Sequence, residues 1–308
     1  MNNLKDAYQL ITDTIIKSLE QGVIPWRKSW SYFGPGAYQK NLLTKKNYRG
    51  INSLLLMATS LLAKYSSPFW LTFNQCKNLG GYVKKGAKST PIAFWKFFEK
   101  VLKKEDADDL QNWSPYEIQR GEKVISGKPL LKYYRVFNID QTEGIPAAKI
   151  PAPPENKNNP IQSAESLLKK YKTMPPINKG EPAYNPKDDI IKMPDIGDFD
   201  SSEEYYSVLF HESIHSTGHK SRLNRDGITK LIIFGSHQYS KEELVAEIGA
   251  CFLNLEAGIK EKKLDISAAY IKSWLEELKN DPKFIVFAAS QAQKAVDYIL
   301  GLEQENLK

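Results

Sequence analysis

The chain is poor in cysteine, and what little it has is unpatterned. Cys76 and Cys251 are the only two in 308 residues and lie far apart. This excludes a disulfide framework and a cysteine-ligated zinc site, and makes a reducing cytoplasm the expected home. No apolar run reaches the roughly 20 residues needed to cross a bilayer, so no membrane partner is expected. The first residues, Met-Asn-Asn-Leu-Lys-Asp, run into an amphipathic pattern rather than a signal peptide. There is no internal repeat. An acidic triad and a phosphate-binding loop for nucleotide transfer are also missing, which makes a priming or replication accessory the weakest of the function classes considered.

Histidine is scarce too, but it is concentrated. All four histidines, His211, His215, His219 and His237, fall in one short segment. Within it, His211-Glu212-Ser213-Ile214-His215 reads H-E-x-x-H. On a helix, residues four apart lie one above the other on the same face. His211 and His215 can therefore present two imidazole nitrogens to one zinc ion, with Glu212 beside it as general base. Ser201 and Glu204 form a capping-box signature that opens such a helix, and Gly218 should end it. A catalytic zinc takes three protein ligands. Glu243 is the favoured third, while Glu247, His219 and His237 stay open as alternatives. The longer pattern that ends in a third histidine would need it at position 221, which is Ser221. Glu243 and Glu247 share a helix face, so one can bind metal while the other orients a ligand histidine. Glu243 also lies three residues after Ser240, the spacing of a purely structural capping box. The chemistry this set implies is peptide hydrolysis, with Glu212 taking a proton from water and passing it to the leaving amine. Tyr184, Tyr239, His237 and Arg222 are candidate donors to the developing oxyanion.

The remaining composition points to a second activity. The formal net charge of +7 is uneven. Residues 1–145 hold about 22 basic and about 12 acidic side chains, leaving the rest near −3. In the basic half, aromatic and cationic residues interleave: Trp26, Arg27, Lys28 and Trp30, then Lys46, Tyr48 and Arg49, then Lys84, Lys85 and Lys88. Single-stranded DNA is held by such mixtures, its bases stacked on rings and its phosphates tracked by cations. Trp70, Phe94 and Phe97 are expected in the core instead.

Periodicity predicts helices over residues 4–21, 51–63, 164–171, 240–255, 267–280 and 284–302, besides the histidine helix. Strands are expected at 70–73, 91–98 and 132–139, with a hairpin formed by 183–186 and 189–194. That hairpin's prolines suit an edge strand, with which a substrate peptide could pair. Residues 99–129 read as an insertion or long hairpin. The expected architecture is α+β in two domains: a DNA-binding domain over 1–145, a linker over 146–162 that opens on proline-rich sequence, and a metallopeptidase domain over 163–308.

The ordered combination of segments resembles the ArdC-type antirestriction proteins, which include the TraC-type proteins of conjugative plasmids. In the first half the likeness rests on Pro25-Trp26, Tyr48-Arg49-Gly50-Ile51-Asn52, Trp70-Leu71-Thr72-Phe73, Gly80-Gly81-Tyr82-Val83-Lys84-Lys85-Gly86, Pro91-Ile92-Ala93-Phe94-Trp95-Lys96 and Tyr134-Arg135-Val136-Phe137-Asn138. In the second it rests on Ala183-Tyr184, Met193-Pro194, the histidine motif, Thr217-Gly218, Arg222-Leu223 and Glu243-Leu244-Val245-Ala246-Glu247. The resemblance implies a single-stranded-DNA-binding domain joined to a zincin-like metallopeptidase domain. It also implies Zn2+ as cofactor, a protein substrate in the restriction system or elsewhere in the host, and protection of incoming mobile-element DNA. The segment from Glu243 to Glu247 is similar to the E-x-x-A-D signature of gluzincin-like peptidases, in which the first carboxylate binds zinc and the last supports a histidine; here Glu247 replaces the Asp. Ser216 stands where the family would carry a bulky aromatic, implying a change in the substrate pocket but not in the metal. The alternative function is a DNA-coating protein that occludes restriction enzymes without using its metal site.

Overall fold

A computed structural model describes residues 2–21, 24, 38–96, 119–120, 123–124, 130–151, 160–229, 237–259 and 268–302. The first half comprises α1 (Asn2–Glu20), β1 (Lys40–Asn41), α2 (Gly50–Ala63), β2 (Phe69–Thr72), α3 (Phe73–Asn78), β3 (Tyr82–Val83), β4 (Thr90–Lys96), β5 (Gln119–Arg120), β6 (Lys123–Val124), β7 (Leu130–Asn138) and β8 (Thr142–Glu143). The second comprises α4 (Pro160–Leu168), β9 (Ile177–Lys179), β10 (Ala183–Asn185), β11 (Ile190–Met193), α5 (Ser202–Thr217), α6 (Asp226–Thr229), α7 (His237–Ala257), α8 (Ala268–Asn280) and α9 (Phe284–Leu300). This is the expected two-domain α+β architecture.

The first half is built on a four-stranded sheet of order β1-β2-β7-β4. β7 is antiparallel to both β2 and β4, with Trp70 opposite Asn138 and Ile92 opposite Tyr134. Alternation along the strands puts Trp70, Ile92 and Val136 on one face, where they bury against Leu56 of α2. The sheet and helix are also joined by Asn52, whose side chain donates to Ala93 O at 2.7 Å and accepts from Ala93 N at 2.8 Å. Two expectations fail in this half. Phe73 does not extend the strand. It opens α3 instead, because Thr72 and Gln75 form a reciprocal capping box. Phe94 is not core: it lies half-exposed, in edge-to-face contact with Tyr134.

The second half carries a three-stranded sheet, β10-β11-β9. The expected hairpin forms, with Tyr184 opposite Ile191, and β10 is an edge. A strand missed in the sequence, β9, runs parallel to β11 on the other side. Helix α5 starts where Ser201 accepts from Glu204 N at 3.3 Å, with Glu203 and Glu204 favourably placed in its first turn. Its partner α7 begins at His237, three residues before Ser240, so Glu243 lies inside the helix and is not part of a cap. Gly249 lets α5 and α7 close together, since a Cβ there would come within 2.7 Å of Ile214 Cδ1.

One core serves both halves. Ile11 and Ile15 of α1 and Leu54 and Leu55 of α2 join Phe252, Ile285 and Ala289 in a single buried cluster. Helix α9 is the shared wall, packing on α2, α5 and α7. Polar ties reinforce the junction. Tyr38 donates to Phe252 O at 3.0 Å, Thr12 donates to Pro282 O at 2.7 Å, and Arg49 pairs with Asp297. Of the expected linker, residues 152–159 lie outside the described residues.

Candidate metal centre

Helix α5 supplies the histidines one turn apart, and α7 crosses beside them with its acidic stretch. His211 Nε2 and His215 Nε2 are 3.1 Å apart. Glu243 reaches across from α7, one oxygen 3.5 Å from His215 Nε2 and the other 3.7 Å from His211 Nε2. All three donors lie within 4.8 Å of one another, the only such group among the described residues. Ligands about 2.0–2.1 Å from a tetrahedral zinc stand about 3.3 Å apart, so the spacing fits a metal of that size. The donor set also suits a cation: two ring nitrogens and a carboxylate converge on one point.

The electrostatics agree with that reading. Burial opposes charge on His215, but the carboxylates of Glu242, Glu243 and Glu212 outweigh it and push the imidazole up to about 10. His211 is raised by the same balance, burial being opposed chiefly by Glu243. Burial likewise works against ionised Glu243, yet the two histidines hold it well below the usual carboxylate range. The pocket therefore favours positive charge at its centre. Glu212 is buried beside both rings, and its charge acts on each.

The surrounding groups divide unevenly. Glu247, the expected support, lies 3.8 Å from His211 Nδ1. On the other ring the neighbour is Glu242, 3.3 Å from His215 Nδ1. Sequence reasoning passed over Glu242, and it passed over Arg225, which grips both Glu242 oxygens at 2.6 and 3.0 Å. Burial favours the neutral form of Glu242, but Arg225 and His215 hold it below the ordinary range. Two adjacent acids thus straddle one imidazole, Glu243 at its Nε2 side and Glu242 at Nδ1. The one available signal was the pair itself, Glu242-Glu243, within reach of H-E-x-x-H.

Other candidates are committed elsewhere. His219 bonds Ser221 at 2.7 Å and faces Asp189 rather than the donor group. Arg222 pairs with Asp189 and donates to Ser216 O at 2.7 Å and to Tyr184 OH at 3.2 Å. Tyr184 in turn donates to Asp189 at 2.8 Å, so its proton is already used. Burial, aided by Asp189, pushes that phenol above its ordinary range. The side chains of His237 and Tyr239 lie outside the described residues. Ser216 is fully buried, its hydroxyl 2.9 Å from Tyr171 OH, so the small side chain is met by a ring from another segment and not by the pocket. Gly218 ends α5 without left-handed geometry; a Cβ there would lie 3.0 Å from Arg225 Nη2.

Six of the ten proposed DNA residues lie among the described residues. Trp26, Arg27, Lys28 and Trp30 lie outside the described residues. Lys46, Lys85 and Lys88 are exposed, and Lys84 is exposed but donates to Asp140 O at 3.0 Å. Tyr48 packs against the sheet and accepts from Asn41 at 3.2 Å, and Arg49 is taken up by Asp297. Among the described residues, no helix is long and apolar enough to cross a membrane.

Comparison with known proteins follows this division. Residues 5–137 match the N-terminal domain of anti-restriction factor ArdC, and residues 162–291 match a zincin-like metallopeptidase domain. Crystal structures of the antirestriction ArdC protein from plasmid R388 superpose along nearly the whole chain. The metal-free form is 36% identical with a TM-score of 0.70, covering 96% of both chains. The Mn(II)-bound form is 35% identical with a TM-score of 0.71, covering 97% of this chain and 98% of that one. Two Escherichia coli proteins named DNA primase TraC are each 35% identical over 100% and 99% of this chain, which spans only 21% and 28% of their lengths. An uncharacterized protein y4eC of Sinorhizobium fredii is 30% identical, over 96% of this chain and 91% of its own length. With both domains matched in order and the likeness covering 96% of a solved ArdC chain, the chain belongs to the ArdC-type antirestriction family.

Proposed function

We propose that the chain is a zinc-dependent peptidase addressed to single-stranded DNA, acting in the cytoplasm to protect incoming mobile-element DNA. The observation that carries this is the convergence of His211, His215 and Glu243 around one point with Glu212 alongside. His211, His215 and Glu243 would hold the ion. When bound, zinc supplies Lewis acidity, bringing the pKa of water toward neutrality and polarising a carbonyl. Glu212 accepts a proton from water on its carboxylate and returns it to the leaving amine nitrogen. His211 is 20% exposed, which leaves that side of the centre open to a substrate. The basic first half, with Lys46, Lys85 and Lys88 in solvent, supports an anionic partner.

The test compares wild type, Glu212→Gln and Glu243→Ala for metal content, peptide hydrolysis and protection of plasmid DNA. Both zinc and manganese should be offered, since a relative was crystallised with Mn(II). Wild type should bind about one ion. Glu212→Gln should keep it and lose hydrolysis by about 10²–10⁴-fold, while Glu243→Ala should lose the ion. If Glu212→Gln protects DNA as well as wild type does, protection works by occlusion and not by proteolysis.

A further inference from the structure

The two histidines are not held alike. Nδ1 of His215 faces Glu242, both of whose oxygens are taken by Arg225. Arg225 is fixed in turn by Thr217 Oγ1 at 2.6 Å and Ile214 O at 2.8 Å, both on the helix that carries His215. Arg225 and Glu242 are each only 6% exposed. Space for the pair is cleared by two glycines. A Cβ on Gly227 would sit 2.8 Å from Glu242 Oε2, and one on Gly218 would sit 3.0 Å from Arg225 Nη2. At the other ring, Glu247 lies 3.8 Å from His211 Nδ1, and the His211 side chain is more exposed than that of His215.

We infer that Glu242, clamped by Arg225, is the positioning residue for the metal centre, and that Glu247 is secondary. This rests on the metal-site reading above. A carboxylate at Nδ1 holds the proton on that nitrogen, so the Nε2 lone pair must face His211 and Glu243. Arg225 makes the arrangement rigid. Its planar fork fixes both oxygens of Glu242 and balances a charge that burial alone would not tolerate. The loop carrying Arg225 thereby ties the orientation of His215 to the end of its own helix. His215 becomes a fixed ligand.

The experiment measures zinc affinity by chelator competition and records the visible spectrum of the cobalt-substituted protein. Full-length wild type is compared with Glu242→Gln, Glu242→Asp, Arg225→Met, Arg225→Lys and Glu247→Gln. Removing a carboxylate that orients a metal-bound histidine costs about 10–100-fold in metal affinity. That loss is expected for Glu242→Gln and Arg225→Met, with an altered cobalt spectrum. Glu247→Gln should lose less. The double variant Glu242→Gln/Arg225→Met should be no worse than the poorer single one, because the two act as a unit. Thermal unfolding without metal separates folding from positioning. If Glu242→Gln does not fold, Glu242→Asp and Arg225→Lys carry the test, both retaining charge and each giving partial recovery relative to the neutral variant at Arg225. Wild-type affinity and spectrum in folded variants at Glu242 or Arg225 would overturn the inference. A wild-type protein that takes up none of zinc, cobalt and manganese would overturn the metal reading itself.

Discussion

The candidate metal centre and the basic half of the molecule use charge in opposite ways. Around His215 the charged groups are buried or largely buried, and two carboxylates are answered by partners of fixed geometry: Glu242 by Arg225, Glu243 by two imidazoles. Around Lys85 and Lys88 the charges stand in solvent. A buried charge left alone is costly, so the first arrangement is determinate and fails sharply when one member is removed. An exposed lysine is hydrated whether or not it meets a phosphate, so the second arrangement is additive and fails gradually. The site for chemistry must be built to fractions of an ångström. A surface for DNA needs only the right sign over the right area.

The sharpest way to break this contrast is to ask whether the two regions are separable at all. They share one core, in which Leu54 of α2 is fully buried with Ile285 of α9. Leu54→Ala should cost about 2–5 kcal/mol, the usual range for a leucine truncated in a packed interior. Calorimetry and metal release should then shift together in one transition, although Leu54 belongs to the half without the metal. Two separate transitions, with only the first moved, would show that the halves fold independently. For the same reason DNA binding is best measured on the full chain: residues 1–145 alone would expose Ile11, Ile15, Leu54 and Leu55.

A smaller effect, and a graded one, is expected on the surface. Lys84→Ala, Lys85→Ala and Lys88→Ala combined should weaken single-stranded DNA binding by about tenfold near 0.1 M salt. The slope of log affinity against log salt should fall by about 0.7 for each phosphate that is no longer neutralised. Fluorescence anisotropy with a short oligonucleotide reads both quantities, and the zinc content should not change. An all-or-none loss, or an unchanged slope, would mean that this surface is not where phosphate is met.

How much of this the sequence disclosed follows the same line. The pairing of His211 with His215 was legible because a four-residue spacing on a helix fixes their mutual position without any tertiary information. Glu243 was legible for a related reason, since a carboxylate-rich helix nearby could supply a third donor. Glu242 was not. Adjacent residues on a helix point about 100° apart, and which of two acids faces the ligand depends on the register of α7 against α5, which Gly249 and Ile214 set by contact. Arg225 sits in an irregular segment, where periodicity carries no information. Strand β9 escaped notice because three exposed residues, Ile177, Asn178 and Lys179, acquire their strand character from parallel pairing with β11. Phe94 misled because an aromatic residue in an alternating strand reads as core, whereas Ile92 and Ala93 are buried and Phe94 beside them is half-exposed.

Between the largely buried centre and the open surface lies a pair of intermediate exposure, and it gives the mildest test. Asp189, about a third exposed, is paired with the buried Arg222, whose hydrogen bonds chiefly hold the carboxyl below its usual range. A carboxylate depressed in this way adds stability that is fully present above its unfolded pKa of about 3.9 and is lost as pH falls through the lower folded value. Solvent screening at this exposure limits the contribution to about 1 kcal/mol or less. Asp189→Asn should therefore melt a few degrees below wild type at pH 6, and the two curves should converge as the pH drops below about 3.9, where the wild-type carboxyl also loses its charge. Thermal melts of both proteins across that range decide the matter. A difference that stays constant into acid would mean that the pair acts through shape and hydrogen bonding. Asp189 would then belong with the rigid, geometry-determined centre and not with the titrating surface.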